Sequence, residues 1–241
     1  MKNSWEKISS KIRRIVKRSF TVKSPLRTNK YDVELSFWKN NYLEDNKSFR
    51  NNWYQRIMLA MAQERDNSFI KGKIIADFGC GPRGSLVWAE EASIRIGIDV
   101  LSDLYVDEFF ESLVNHNMIY LKSTEKIIPL PNNFVDVMFT MNAIDHVNNF
   151  SLMCQEILRT IKPGGELIAG FNINEPPTPT EPQQLTEDII KASLLDKMKI
   201  LSYRITERPR NSSKLYEAFF TNNLSYKEGE EGFLWVRAVK I

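Results

Sequence analysis

The chain has 241 residues, of which 42% are apolar and 11% aromatic, enough for a sizeable core and too much for a disordered chain. Its net charge of +3 is unevenly spread, because residues 1–30 hold ten Lys or Arg and one acid, Glu6, which leaves 23 basic and 29 acidic residues beyond them. An acidic body of that kind argues against a broad nucleic-acid footprint, and no apolar run approaches the roughly 20 residues that span a bilayer.

In SWEKISSKIRRIVKRSF, residues 4–20, Trp5, Ile8, Ile12, Ile15 and Val16 recur at three- and four-residue steps with Lys and Arg between them. The pattern predicts a basic amphipathic arm over residues 1–30. Its first 22 residues suit either peripheral contact with an anionic membrane or packing on protein. No continuous apolar secretion signal is visible, so a cytoplasmic protein is expected, with the inner face of a membrane as a second possibility. A second amphipathic helix is expected from Ser48, with Phe49, Trp53, Ile57, Ala60 and Met61 on one side.

From residue 73 the pattern changes. Strands are predicted at 73–78, 94–99, 118–122, 134–140 and 166–171, with helical stretches at 85–92, 103–115 and 150–161 between them. Such alternation implies right-handed crossovers and an α/β, Rossmann-like, doubly wound and mainly parallel sheet with helices on both faces. Two later runs, 199–206 and 233–240, add edge strands, the last antiparallel. The expected organisation is a single domain over 31–241, with a cofactor-binding core at about 71–172 and substrate-side additions at 31–70 and 173–232. Asn174–Pro182, rich in proline, breaks helix and strand alike and should be a rigid loop. Cys80 and Cys154 lack CxxC or metal-ligand spacing, so two reduced thiols and no metal are expected.

The stretch IIADFGCGPRGS, residues 74–85, ends a strand in an acid and then places glycines at 79, 81 and 84. A Gly-x-Gly-x-x-Gly turn lets backbone approach a nucleotide, and Asp99 follows Gly79 by 20 residues, where a carboxylate accepts the hydroxyls of a ribose. Asp77 is an odd neighbour for a diphosphate. It suits a ligand with a positive group, or else it caps the turn's own amides. Taken alone, the turn also fits a dinucleotide.

The sequence resembles class I S-adenosylmethionine-dependent methyltransferases, in particular the small-molecule type 11 methyltransferase domain. IADFGCGPRGS looks like their first motif and IGID like their second-strand acid. STEKIIPLPNNFVDVMFTMNAIDHV is similar to their adenine-contacting loop, fourth strand and turn, and EILRTIKPGGELI to the helix, turn and fifth strand that follow. The resemblance implies S-adenosyl-L-methionine as cofactor and S-adenosyl-L-homocysteine as product. It places the amino-acid tail and ribose at Asp77, Gly79, Cys80, Gly81, Asp99 and Val100, the adenine at Ser123, Thr124 and Glu125, and a further contact at Asn142. Pro82 and Arg83 depart from the commoner small residues. Arg83 either pairs with the cofactor carboxylate or is a solvated turn residue.

Methyl transfer is an in-line displacement that needs a base only when the acceptor is a hydroxyl. The resemblance places His146 beside the reacting sulfur, so His146 is the candidate base and Asp145 its orienting partner, unless His146 merely packs in the turn. His116 is read as structural. Phe171, Asn172, Glu175 and Tyr216 are candidates for acceptor binding, with Trp38 and Trp53 as stacking surfaces. The expected enzyme methylates a hydroxyl, less readily an amine, of a small polar molecule such as a sugar or glycan precursor, as a monomer or homodimer. A lipid or quinone acceptor, a nicotinamide oxidoreductase and a non-catalytic binding scaffold are the alternatives.

Overall fold

The computed structural model describes residues 29–208, 217, 219–220 and 225–241. The basic segment 1–28 and Tyr216 lie outside the described residues. Helix α1 spans Lys30–Glu44 behind the N-cap Asn29, whose side chain accepts the Tyr31 amide. Helix α2 spans Trp53–Ala62. The helix expected from Ser48 begins five residues late because the preceding stretch is held as a loop. Asn46 and Lys47 have positive φ, and the Asp45 carboxylate accepts the Arg50 amide at 3.3 Å.

The elements that follow are β1 (Ile74–Phe78), β2 (Ile94–Asp99), α3 (Ser102–Val114), β3 (Ile119–Lys122) and β4 (Val135–Met141). Then come α4 (Phe150–Thr160), β5 (Ile161–Ile173), α5 (Glu187–Ser193), β6 (Met198–Glu207) and β7 (Gly232–Lys240). They form one seven-stranded sheet in the order β3-β2-β1-β4-β5-β7-β6. The first five strands are parallel, while β7 runs antiparallel to both β5 and β6. The doubly wound, mainly parallel fold read from the sequence is thus the observed one. No helix among the described residues is long and apolar enough to cross a membrane.

Two local expectations fail. Residues 85–92 are successive turns rather than a helix: Val87, Ala89 and Ala92 each bond back three residues, and Arg95 Nη1 donates to the carbonyls of Leu86 and Val87. Those carbonyls are therefore taken by a side chain instead of a helical ladder. Strand β5 starts at Ile161 rather than 166, because Ile161 already pairs with Val135 before the Lys-Pro-Gly-Gly bulge resets the register at Glu166.

Along β1, β4 and β5 the period of two sends alternate residues to opposite faces, and both faces are covered. Ala76, Met138, Leu167 and Ala169 meet α4 and α5 through Met153, Ile157 and Ile190. Ile75, Val137, Phe139 and Ile168 meet α2 through Ile57, Met58 and Met61. This double burial explains why the strands read as near-continuous apolar runs. A third cluster of Phe49, Tyr105, Phe109 and Leu113, with Trp38 and Tyr42 against it, fastens α1 to α3. It holds α1 across the carboxyl ends of β1 and β2, beside the point where strand order reverses.

Candidate functional site

The turn after β1 is built for close approach. Gly79 donates its amide to the Ile98 carbonyl at 2.7 Å, tying the turn to β2. It has φ +73°, and a Cβ added there would lie 2.1 Å from the Ala143 Cβ, so only glycine fits against the turn that follows β4. Gly81 has φ +55°, and a Cβ there would meet the Trp38 ring at 2.6 Å. The glycines thus bring three segments, from β1, β4 and α1, around one space.

Asp77 and Asp99 border that space, 3% and 5% exposed. Ser85 donates its hydroxyl to Asp77, while the amides of Gly81 (3.0 Å) and Leu101 (2.9 Å) donate to the two oxygens of Asp99. Burial pushes both carboxyls up to about 7, with Asp99 adding to the rise at Asp77 and Glu34 to that at Asp99. No cation pairs with either acid among the described residues. Two buried carboxylates without a counter-charge are costly alone and fit a ligand that brings an ammonium and hydroxyl donors.

The cavity they border measures about 900 Å³, near the upper end of ligand pockets, roughly 300–1,000 Å³. Every cofactor residue expected from the sequence lines it except Gly81, whose amide is committed to Asp99. Asn142 adopts φ +49°, a conformation asparagine tolerates, and its buried Oδ1 has no hydrogen-bond partner, leaving an acceptor to be met. Thr124 Oγ1 already accepts the Lys126 and Ile127 amides. Glu125 is likewise engaged, receiving Lys30 Nζ (2.5 Å), Tyr31 Oη (2.5 Å) and the Asn148 amide (2.8 Å). An adenine in this corner would be met chiefly by backbone.

Arg83, which lines the cavity, is not the solvated turn residue of its alternative reading. Its guanidinium donates to the Arg50 carbonyl (3.0 Å) and Asn41 Oδ1 (2.7 Å), pairs with Asp45 at 3.2 Å and lies over Trp38 and Phe49. Arg83 thereby ties the turn to α1 and to the segment that follows it.

His146 and Glu181 line the same cavity, beside buried Asp145. His146 Nε2 lies 3.5 Å from Glu181 Oε1 and 4.0 Å from Asp145 Oδ1. Asp145 Oδ2 accepts Asn172 Nδ2 at 3.3 Å, while Oδ1 is buried without a hydrogen-bond partner. Burial pushes the Asp145 carboxyl up to about 6 against the opposing pull of His146. Of the acceptor residues expected from sequence, Phe171 is buried in the core, Asn172 stands behind Asp145, and Glu175 pairs with Arg208; none lines the cavity. Trp38 and Trp53 do line it. Lys30, Glu34, Phe37 and Glu181 are cavity residues that the sequence did not signal, because α1 and the proline-rich loop reach the site only through tertiary packing. His116 is buried and meets Tyr120 Oη at 2.6 Å, away from the cavity.

Residues 76–169 match the family described as a methyltransferase domain. No curated protein sequence matches the chain. Among solved structures, a putative methyltransferase of Haloferax volcanii, in complex with its methyltransferase activator, is 16% identical with a TM-score of 0.60. The match covers 88% of this chain and 98% of that one. The SpnF cyclase is 20% identical with a TM-score of 0.56, covering 77% of this chain and 80% of its own. A geranyl diphosphate C-methyltransferase from Streptomyces coelicolor, in complex with Mg²⁺, geranyl diphosphate and S-adenosyl-L-homocysteine, is 13% identical with a TM-score of 0.54. That match covers 78% of this chain and 76% of the other. At these identities the likeness establishes the fold.

Proposed function

We propose that the chain, whose residues 76–169 match a methyltransferase domain, is an S-adenosylmethionine-dependent methyltransferase that methylates a hydroxyl group of a small acceptor held between α1 and the His146 cluster. The observation that carries this reading is one cavity lined both by a carboxylate-flanked glycine turn and by the His146–Glu181 pair.

Asp77 attracts the ammonium of the cofactor's tail, and Asp99 accepts from its ribose through lone pairs that Gly81 and Leu101 leave free. Gly79 removes the side chain that would block that approach. Bound there, S-adenosylmethionine supplies an electrophilic methyl on a cationic sulfur. Trp38, Phe37 and Trp53 exclude water from the reacting end and fix the acceptor, which raises the rate chiefly by alignment. The Asp145–His146–Glu181 cluster meets the acceptor hydroxyl and manages its proton. Asp145 is a positioning residue there, held in turn by Asn172.

The aromatic and aliphatic lining suits the apolar faces of a sugar. It favours equally a second reading, a hydroxyl on an aromatic or isoprenoid carrier such as a quinone. Incubation with the cofactor and panels of sugars, nucleotide sugars, phenols and quinols, read as a mass gain of one methyl, tests both. A gain with one class identifies the acceptor, and no gain with any hydroxylated compound contradicts hydroxyl methylation. His146→Ala is expected to lower turnover by about 10²–10⁴ while S-adenosylhomocysteine affinity is kept. Full turnover would remove the cluster from the chemistry.

A further inference from the structure

The Asp145, His146 and Glu181 side chains are not hydrogen-bonded to one another, yet each offers one ligand-capable atom, and the three atoms lie within 4.8 Å of one another. Atoms bonded to one ion at about 2.1 Å lie roughly 3.0–4.2 Å apart, depending on the angle between the bonds. The His146 distances, 3.5 and 4.0 Å, fall in that range.

Asp145 Oδ1 provides an independent indication. Its side chain is 4% exposed, and this oxygen faces His146 Nε2 with no donor, while the other oxygen is held by Asn172. A buried carboxylate oxygen without a partner is costly unless something positive meets it. Asn172, bonded to a ligating carboxylate from behind, has the place of an outer-shell residue that fixes ligand orientation.

We propose that Asp145 Oδ1, His146 Nε2 and a Glu181 carboxylate oxygen form a divalent-cation site at the acceptor end of the cavity. Two carboxylates and one imidazole suit an ion of mixed oxygen and nitrogen preference such as Mn²⁺. Three protein ligands leave further positions open towards the cavity for an acceptor oxygen. The site takes acceptors that present a hydroxyl to the ion, and it refines the hydroxyl-methylation reading on which its purpose rests. With Nε2 committed to the ion, the hydroxyl proton passes to the Glu181 carboxylate oxygen that the ion leaves free, and the cation compensates the charge left on the acceptor oxygen. As the O–CH₃ bond forms from an oxygen lone pair, the S–CH₃ bond breaks and its electrons remain on sulfur.

The test is a Mn²⁺ titration followed by electron paramagnetic resonance, run beside S-adenosylhomocysteine calorimetry on wild type, Asp145→Asn and Glu181→Gln. The expected result is one Mn²⁺ per wild-type chain and at least about tenfold weaker Mn²⁺ binding in each variant. S-adenosylhomocysteine affinity should stay within about twofold in both variants. This control shows the variants to be folded, and Glu181, half-buried, supplies a second variant should the fully buried Asp145 one misfold. No saturable Mn²⁺ binding, or binding unchanged in both variants, overturns the site. If S-adenosylhomocysteine fails to bind wild type, the methyl-transfer reading falls by a separate route and the Mn²⁺ result still decides the cation site.

Discussion

Asp77 and Asp99 are buried, Asp99 adds to the rise at Asp77, and no cation pairs with either among the described residues, so ligand binding should depend on pH. Their carboxyls, pushed up to about 7, must be ionised to attract an ammonium, so S-adenosylhomocysteine affinity should fall as pH drops from 8 to 6. Calorimetry across that range checks the direction, and a flat profile would contradict the pairing. Asp99→Ala should weaken binding by roughly 1–3 kcal/mol, the range for removing one partner of a buried polar contact. Both acids were legible in the sequence because the motif fixes them at strand ends, where side-chain placement follows from backbone topology. Arg83 was not, since its partners Asn41, Asp45 and Arg50 come from a segment whose position only the packed fold determines. Phe171 shows the same limit in reverse: an aromatic residue late in a strand reads as a wall of a pocket, yet β7 and α4 enclose it.

At the scale of elements, α1 is the part least visible in the sequence. It buries no residue fully and its apolar residues form no clear stripe, so side-chain anchors near its two ends add to the hold of the aromatic cluster it shares with α3. At one, Lys30 reaches Glu125, the His146 carbonyl and Asn148; at the other, Arg83 grips Asn41 and Asp45. Arg83→Ala removes the second anchor and leaves Asp45, a largely buried acid, with only Arg50. A stability loss of about 1–3 kcal/mol in urea melts is expected, with faster amide exchange confined to α1. A loss spread evenly over the sheet would contradict the anchoring role. Strands β1, β2, β4 and β5 were legible because burial on both faces gives unbroken apolar runs bounded by turn residues. The turns at 85–92 imitate a helix in composition, and only the reach of Arg95 from β2 shows why the ladder does not form.

The molecule as a whole stores unfavourable charge around its cavity. Asp77 and Asp99 are raised to about 7, and Asp145 to about 6, each chiefly by burial, and outside the cavity lining Glu175 is raised likewise, against the pull of Arg208. Raised carboxyls bind more protons folded than unfolded, so stability without ligand falls as pH rises through 7. The ligand-free protein should therefore be more stable at pH 6.5 than at pH 8, by on the order of 1 kcal/mol, as read by thermal melts. Below pH 6.5 the gain is partly offset by His116, whose burial lowers its pKa to about 4 and favours the unfolded state once that state protonates. A cationic nucleoside ligand should remove the dependence above pH 6.5 by stabilising the ionised acids. The most direct measurement is calorimetric titration of the full chain at pH 8 with S-adenosylhomocysteine and, separately, with NAD⁺. One equivalent of S-adenosylhomocysteine should bind, more weakly in Asp77→Asn, with no heat from NAD⁺. Binding of NAD⁺ without S-adenosylhomocysteine would contradict the account.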